Sequence, residues 1–293
     1  MELRVLRYFL AVAREESISG AADYLHLTQP TLSRQLMDLE EELGKKLFIR
    51  GNRKVTLTED GVLLRKRASE IVELVEKTES EFQETEEVTV GDIYIGGGES
   101  DAIRLIAQAA RELQIKCPQI RYHLFSGNAD DVGERLEKGL LDFGIMIEPS
   151  DMKKYDYLKL PVTDVWGVLM RRDSPLAQKE TVRAEDLWGV PLLLSRQALG
   201  KSRLSDWLER GYDSLCVAAT YNLIFNASLM VEEGLGYAIT LDKLVNTRDE
   251  GSPLCFRPLE PHLEAPLYIV WKKYQVFSRA TQRFLQMLRE KFQ

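Results

Sequence analysis

The chain has 293 residues, of which 44% are hydrophobic and 29% are charged, and its formal net charge is −7. This length exceeds what one hydrophobic core usually supports, so two or three domains are expected. No run approaches the roughly 18 consecutive apolar residues of a membrane span, and Met1-Glu2-Leu3-Arg4 lacks the profile of a secretory signal, so we predict a cytoplasmic protein with no membrane partner.

The cysteines and histidines form no pattern typical of a metal site or a catalytic site. Cys117, Cys216 and Cys255 lie far apart, without CxxC spacing or neighbouring histidines, so we expect reduced thiols, no metal and no cofactor. HExxH, GxSxG and Walker motifs are absent from the sequence, which disfavours an enzyme. Gly96-Gly97-Gly98 is similar to part of a dinucleotide loop, but Asp101 stands where the last glycine is needed.

Charge is unevenly distributed along the chain. Between Leu43 and Leu57 there are five basic residues and no acidic one, whereas residues 61–87 contain four basic and eight acidic residues, a net charge of −4. An acidic protein can still bind a polyanion through a local cationic patch of this kind.

Three short helices are predicted before Gly44. The first ends near Glu15, and Ser17 or Ser19 can cap the second, roughly residues 18–25. Thr28 is a suitable N-cap for the third, with Pro30 in its first turn, where the missing N–H costs no hydrogen bond. Apolar residues at three- and four-residue steps give the first and third helices one buried face each: Leu3, Leu6, Phe9, Leu10 and Ala13, and then Leu32, Leu36, Leu39 and Leu43.

The second and third predicted helices have the form of a helix-turn-helix. Such a capped helix fits the DNA major groove, where Gln pairs with adenine and Arg with guanine. Residues 47–50 and 53–57 read as two short strands around a Gly51-Asn52 turn, a β-wing whose cations suit phosphate oxygens. The alternative is a small helical domain with a merely solvated polar face, which the combination of these features disfavours.

The order of these segments resembles the LysR-type regulator motif. One departure is Asp60, where the family usually has alanine; a negative charge at a helix start is compatible with the helix dipole. The resemblance rests on the following segments in order: Ser17-Ile18-Ser19-Gly20-Ala21-Ala22, Leu25, Gln29-Pro30-Thr31-Leu32-Ser33, Leu39-Glu40, Leu43-Gly44, Leu47-Phe48-Ile49-Arg50, Arg53 and Leu57-Thr58-Glu59-Asp60-Gly61.

The resemblance implies a sequence-specific, double-stranded DNA-binding transcription regulator, with RNA polymerase as a possible partner. Replacing Arg34 is expected to relax sequence preference, whereas replacing Arg53 is expected to weaken binding to all sequences alike. By this likeness, Gln29, Pro30, Thr31, Ser33 and Arg34 lie in or beside the major groove, and Arg50, Arg53 and Lys54 lie against the flanking backbone.

A long helix is predicted from Thr58 to about Glu87, because this stretch has no proline and no glycine after Gly61. Roughly 30 residues give a helix about 45 Å long. A heptad stripe on an exposed helix needs a partner, which in the family is a second subunit, so we expect a homodimer and, by resemblance, a homotetramer. The alternative is packing on the protein's own C-terminal domain. The seam residues are Leu64, Ala68, Ile71, Val75, Thr78 and Phe82.

After residue 88 strands and helices alternate, which predicts parallel strands covered by helices on both faces. Two blocks, residues 136–145 and residues 231–237, resemble the LysR-type effector domain, which is similar to periplasmic binding proteins. The predicted division is therefore 1–58 for the winged helix-turn-helix, 59–88 for the linker helix and 89–293 for the effector domain. In the last, lobe I comprises 90–161 and 267–293, and lobe II comprises 162–266, with Pro161 and the Pro258–Pro266 stretch as crossovers.

Strand ends and helix N-termini converge between such lobes, and their N–H groups attract polar or anionic ligands. We expect a small-molecule effector there, which shifts the packing between subunits, and Arg196 could grip a carboxylate with two hydrogen bonds. The main rival is an enzyme that uses the α/β domain, and the second is a transport-type solute-binding protein, which the DNA-reading segment opposes. The candidate effector contacts, each of which could instead be a cap or a loop residue, are Gly98, Ser100, Ser126, Gly127, Glu148, Ser195, Arg196, Asn222 and Thr240.

Overall fold

The structure, a computed structural model, describes residues 1–51, 54–82, 90–147, 152–196, 203–249 and 251–292. The chain divides into two compact units, Met1–Phe82 and Gln83–Gln293. Among the described residues no helix is both long enough and apolar enough to cross a membrane.

The first unit contains four helices and a two-stranded antiparallel hairpin in its described part. In the hairpin Ile49 lies opposite Thr56. The elements are α1 (Leu3–Glu15), α2 (Ile18–Tyr24), α3 (Gln29–Leu43), β1 (Phe48–Arg50), β2 (Val55–Leu57) and α4 (Glu59–Glu81).

The ends of these helices follow local chemistry. The Ser17 side chain accepts a hydrogen bond from the Gly20 N–H, as an N-cap does. Thr28 occupies the N-cap position of α3, but its hydroxyl contacts the Thr31 hydroxyl at 2.8 Å and makes no capping bond to a backbone N–H. Gly44 ends α3 in a left-handed conformation, φ 63°, which glycine adopts without strain.

The core of this unit consists of the apolar faces of α1 and α3. Ala21 and Ala22 of α2 are buried beside them, and their small side chains permit the close helix approach. The Phe9 and Phe48 ring centroids lie 5.1 Å apart, so the same core anchors the first strand of the hairpin.

Helix α4 begins where the hairpin ends. The Thr58 hydroxyl accepts from the Gly61 N–H (3.0 Å) and donates to the Lys46 carbonyl (2.6 Å). A Cβ at Gly61 would lie 2.1 Å from the Leu47 carbonyl oxygen, so only glycine permits this approach. The helix ends at Glu81; it was predicted to extend to about Glu87, and residues 83–89 lie outside the described part of the chain.

The second unit contains nine strands and five α-helices in its described part. In chain order the elements are β3 (Gly91–Gly97), α5 (Ile103–Lys116), β4 (Ile120–Ser126), α6 (Ala129–Glu137), β5 (Phe143–Ile147), β6 (Tyr155–Arg171), β7 (Leu192–Ser195), α7 (Arg203–Trp207), β8 (Val217–Tyr221), α8 (Ile224–Glu232), β9 (Tyr237–Leu241), β10 (Leu254–Pro258), β11 (Glu264–Lys272) and α9 (Arg279–Phe292). Across the sheet the strands lie in the order β4-β3-β5-β11-β6-β9-β7-β8, and β10 also pairs with β6.

The prediction of parallel strands holds for only part of this sheet. Strands β4, β3 and β5 are parallel to one another, as are β8, β7 and β9. Strands β6, β10 and β11 pair antiparallel to their neighbours, so the sheet is mixed. The antiparallel strands join two parallel groups, which is why helix and strand alternation predicted each group but not the connection between them.

Strand β6 is the main connection between the two groups. Pro161, predicted as a crossover, lies inside this strand, which pairs with β11 as far as Val165 and with β9 from Trp166 onward. The pairing of β11 with β6 is irregular opposite residues 160–162. Such an irregularity accommodates a proline, which has no N–H to donate.

Each group of strands has its own core. Phe143 and Phe284 are fully buried in the first, around β3, β5, β11 and helices α5 and α9. Leu192, Ile239 and Val168 are fully buried in the second, around β6, β7 and β9. Two separate cores connected by β6 and β11 leave a cleft at the strand ends, where the predicted effector contacts lie.

Candidate DNA-binding surface and interlobe cleft

Helix α3 presents two different faces. Its buried side contributes Leu32, Leu36 and Leu39 to the core of the first unit. The predicted groove contacts lie on the other side or at its edge: Gln29, Pro30, Thr31 and Arg34 are exposed and Ser33 is half-buried. A helix anchored along one face with hydrogen-bonding groups along the other can enter a groove without loss of its core.

Glu40 joins α3 to the hairpin. This carboxylate is only 5% exposed, and it accepts from the Leu47 N–H (2.7 Å), the Phe48 N–H (3.3 Å) and Lys46 Nζ (3.0 Å). Burial by itself raises the pKa of Glu40, but these hydrogen bonds outweigh burial and hold the pKa below its ordinary value. The residue therefore remains ionised and fixes the hairpin relative to α3.

The cations of the hairpin are described only in part. Lys54 is exposed, and its Nζ lies 3.0 Å from the Glu16 carboxylate of the segment that joins α1 to α2. Arg50 is the last residue of β1, whereas Arg53 lies outside the described residues. An exposed ion pair such as Lys54 with Glu16 contributes little to stability, so Lys54 can exchange Glu16 for a phosphate oxygen at small cost.

The predicted seam of α4 corresponds to two different surfaces. Ala68 is fully buried in the core of its own unit, and Leu64 packs against that core. Ala68 therefore faces its own chain, and its predicted place in a seam between subunits is wrong. Ile71 (38% exposed) and Phe82 (86%) are exposed. Leu74, which the heptad pattern missed, is 43% exposed beside them.

The first unit thus leaves an apolar stripe uncovered on α4. Val75 is half-buried and Thr78 is exposed, and the Thr78 hydroxyl donates to the Leu74 carbonyl at 2.8 Å. The sequence predicted that an apolar stripe exists, but the heptad register alone did not show which part of it packs on the first unit's own helices.

In the second unit, two cavities lie at strand ends, the larger at the ends of the first group of strands and the smaller between the two groups. One, of about 260 Å³, is lined by the predicted residues Gly98, Ser100 and Ser126 together with apolar side chains. The other, of about 60 Å³, is lined by Gly98, Gly127, Ser195, Asn222 and Thr240. Seven of the nine predicted contacts, distant in the sequence, thus line these two cavities. Arg196 is exposed and lines neither cavity, and Glu148 lies outside the described residues.

Ser100 is held by a buried carboxylate. Its hydroxyl donates to Asp164 Oδ2 at 2.6 Å and accepts from the Ala102 N–H at 3.0 Å. Burial raises the pKa of Asp164, and the hydrogen bond from Ser100 opposes that rise. Asp164 belongs to β6, so this contact ties the loop after β3 to the strand that connects the two groups.

Further residues that line the cleft were not predicted, among them Glu99, Tyr221 and Trp166. Glu99 is half-buried, lines both cavities, and accepts a hydrogen bond from the Ile224 N–H at the start of α8. The Tyr221 hydroxyl donates to the Ile239 carbonyl at 2.6 Å, and burial raises its pKa well above the ordinary range, so it remains a neutral donor. Trp166 lines the smaller cavity. Glu99, between Gly98 and Ser100, and Tyr221, next to Asn222, carried a positional signal, whereas Trp166 did not.

Among the residues that the structure describes, no cluster of three or more His, Cys, Asp or Glu side chains is arranged to hold a metal ion. The cleft offers hydroxyl and amide groups on largely apolar walls, an arrangement suited to holding a small molecule.

Sequence profiles of known families match both units. The profile described as bacterial regulatory helix-turn-helix protein, lysR family, matches residues 3–62, and that of the LysR substrate binding domain matches residues 87–293. The chain belongs to the LysR family of transcriptional regulators. Members of this family are DNA-binding regulators and not enzymes.

Relatives of this LysR-family regulator align along most of its length. HcaR of Escherichia coli (strain K12), the Hca operon transcriptional activator, is 29% identical, with 99% of this chain and 98% of HcaR covered. The HTH-type transcriptional regulator BsdA of Bacillus subtilis (strain 168) is 33% identical over 69% of each chain. The crystal structure of CbnR, a LysR family transcriptional regulator, gives a TM-score of 0.74 at 19% identity over the whole of both chains, a likeness that shows the fold.

Proposed function

We propose that this LysR-family regulator reads double-stranded DNA through α3 and the β1–β2 hairpin. Two copies act together, and a small molecule in the interlobe cleft controls them. The observation that carries the proposal is the exposed polar face of α3, with Arg34 and Gln29, on a helix whose other face is buried. CbnR, of similar fold, has been crystallised as a full-length protein with its target DNA. We propose a cytoplasmic location, since DNA is the target.

In this proposal the groove contacts are Gln29, Pro30, Thr31, Ser33 and Arg34. The phosphate contacts are Arg50, Arg53 and Lys54. Phosphate contacts set register and affinity without reading sequence, whereas base contacts set specificity. The hairpin is held to α3 through Glu40, so both kinds of contact move as one body.

The proposed dimer is a second copy of this chain paired along α4. Exposed Ile71, Leu74 and Phe82 support it, because a helix that leaves such side chains in water gains by covering them. Two half-sites read by two copies multiply weak contacts into a usable specificity. Pairing of dimers into tetramers, and contact with RNA polymerase, belong to the same proposal.

The test of this function is gel shift of the purified full-length protein with the DNA upstream of its own gene. A specific complex should form and should survive a large excess of unrelated duplex. Equal competition by the specific and the unrelated duplex would overturn the proposal.

A further inference from the structure

Glu99 connects the two groups of strands across the cleft. It follows β3, and its carboxylate accepts a hydrogen bond from the N–H of Ile224, 125 residues later in the chain. The backbone beside it is fixed, because the neighbouring Ser100 is buried and bonded to Asp164. The side chain of Glu99 therefore reaches α8 from an anchored loop.

Helix α8 has no cap of its own. Its N-cap position is Leu223, which makes no side-chain capping bond, and its first turn contains no acidic residue. The first N–H groups of a helix need acceptors and attract negative charge. Glu99 supplies, from the other side of the cleft, the acceptor that the local sequence of α8 lacks.

The same carboxylate belongs to the cleft. Glu99 lines both the 260 Å³ cavity and the 60 Å³ cavity. Among the described residues that line the two cavities it is the one charged side chain. The larger cavity adds an apolar wall that includes Leu124, Phe125 and Ile103. A ligand that fills this space has apolar surface on one side and the carboxylate position of Glu99 on the other.

We propose that Glu99 is the specificity-determining residue of the cleft. Its carboxylate is an internal competitor, which a small organic carboxylate with an apolar body displaces when it binds. The effector then accepts the hydrogen bond of the Ile224 N–H in place of Glu99. The Glu99–Ile224 hydrogen bond, which links the two groups of strands, is lost. This inference rests on the proposed function, in which the cleft controls DNA binding. It differs from the prediction that Arg196 grips the effector, since Arg196 lines neither cavity.

Chemical rescue tests the inference directly. Glu99→Ala removes the atoms of an acetate ion, so acetate is the probe, with chloride at equal ionic strength and neutral acetamide as references. The melting temperature of the full-length Glu99→Ala protein should fall by about 2–4 °C, and acetate should restore at least half of that loss. Acetamide and chloride should not. Glu180→Ala, which removes an exposed carboxylate elsewhere on the same unit, should show neither the loss nor the rescue.

A second variant covers the case in which Glu99→Ala does not fold. Glu99→Gln keeps an acceptor oxygen but loses the charge, so it competes less well, and benzoate should bind it about tenfold more tightly than the wild type by calorimetry. Equal benzoate affinity for the two proteins, equal binding of benzamide, or an acetate effect no larger on Glu99→Ala than on the wild type would overturn the inference. DNA selectivity is measured separately on the wild-type protein, so a failure here is distinguishable from failure of the proposed function.

Discussion

Glu40 couples the helix that carries the proposed base contacts to the hairpin that carries the proposed phosphate contacts. Three donors, two of them backbone N–H groups, converge on this one buried carboxylate. Removal of its charge leaves the two buried backbone N–H groups with a weaker acceptor, which is costly. The two kinds of DNA contact would then be less firmly fixed to each other.

Glu40→Gln is therefore expected to lower the free energy of unfolding of the first unit by about 1–3 kcal/mol. It should also weaken DNA binding. Urea unfolding of the full-length protein, followed by helix circular dichroism, measures the first effect. The control is Glu41→Gln, which removes an exposed charge one residue away on the same helix; equal losses in both variants would contradict the role of Glu40.

The pH dependence of this effect has a definite sign. The folded-state pKa of Glu40 lies below its ordinary value of 4.5, so its contribution is full above about pH 4.5 and is lost as the pH falls through the folded-state pKa. The stability difference between wild type and Glu40→Gln should shrink as the pH is lowered from 7 to about 3. A difference that stays constant over this range would show that Glu40 does not act as a carboxylate.

Substitutions of Arg34 and of Lys54 are expected to change DNA binding in different ways. Arg34→Ala should reduce discrimination between target and random duplex by about 1–3 kcal/mol, because it removes a proposed base contact. Lys54→Ala should weaken binding to both duplexes equally and make binding less sensitive to salt. Fluorescence anisotropy at several salt concentrations separates the two; uniform loss of affinity in Arg34→Ala would reassign that residue to the backbone.

At the scale of the element, α4 carries both a buried and an exposed apolar surface. Ile71 and Val62 are both exposed, but they lie nine residues apart, which is two and a half helical turns and so places them on opposite sides of the helix. Only Ile71 lies beside Leu74 on the proposed dimer stripe. The pair therefore offers a matched comparison within one helix.

Ile71→Glu is expected to dissociate the dimer, since it places a charge in a surface that must lose water on pairing. Val62→Glu should leave the dimer intact. Sedimentation velocity at micromolar concentration distinguishes monomer from dimer. Dissociation by both variants, or by neither, would contradict the assignment of this stripe to a second copy.

Element boundaries and their caps were predicted where the cause is local. The sequence left Ser17 and Ser19 as alternative caps of α2, and the structure uses Ser17; Thr58 begins α4 where the long helix was predicted to start. Ala68 was misassigned because a heptad repeat reports which residues share a face, and not which neighbour covers that face. The antiparallel pairing of β6, β10 and β11 was missed because an antiparallel connection needs no helix between its strands to mark it.

At the scale of the whole molecule, the contacts that the sequence could not supply are those that join distant segments. Ser100 with Asp164, and Glu99 with Ile224, are separated by 64 and 125 residues. Periodicity and capping rules relate only residues that are close in the sequence. They predicted which residues lie at strand ends, and hence near the cleft, but they could not show that Glu99 bonds across the cleft. The family motif located the DNA-reading segment because its residues are contiguous.

Two copies of α3 are proposed to read two half-sites of one duplex. Selection from a pool of randomised duplexes with the full-length protein, followed by sequencing, measures whether they do. An inverted repeat should be enriched, with half-sites about one helical turn apart or a multiple of it, and Arg34→Ala should lose the preference at one position in each half-site. A pool that stays random after repeated rounds, or a motif without dyad symmetry that Arg34→Ala leaves unchanged, would contradict the claim.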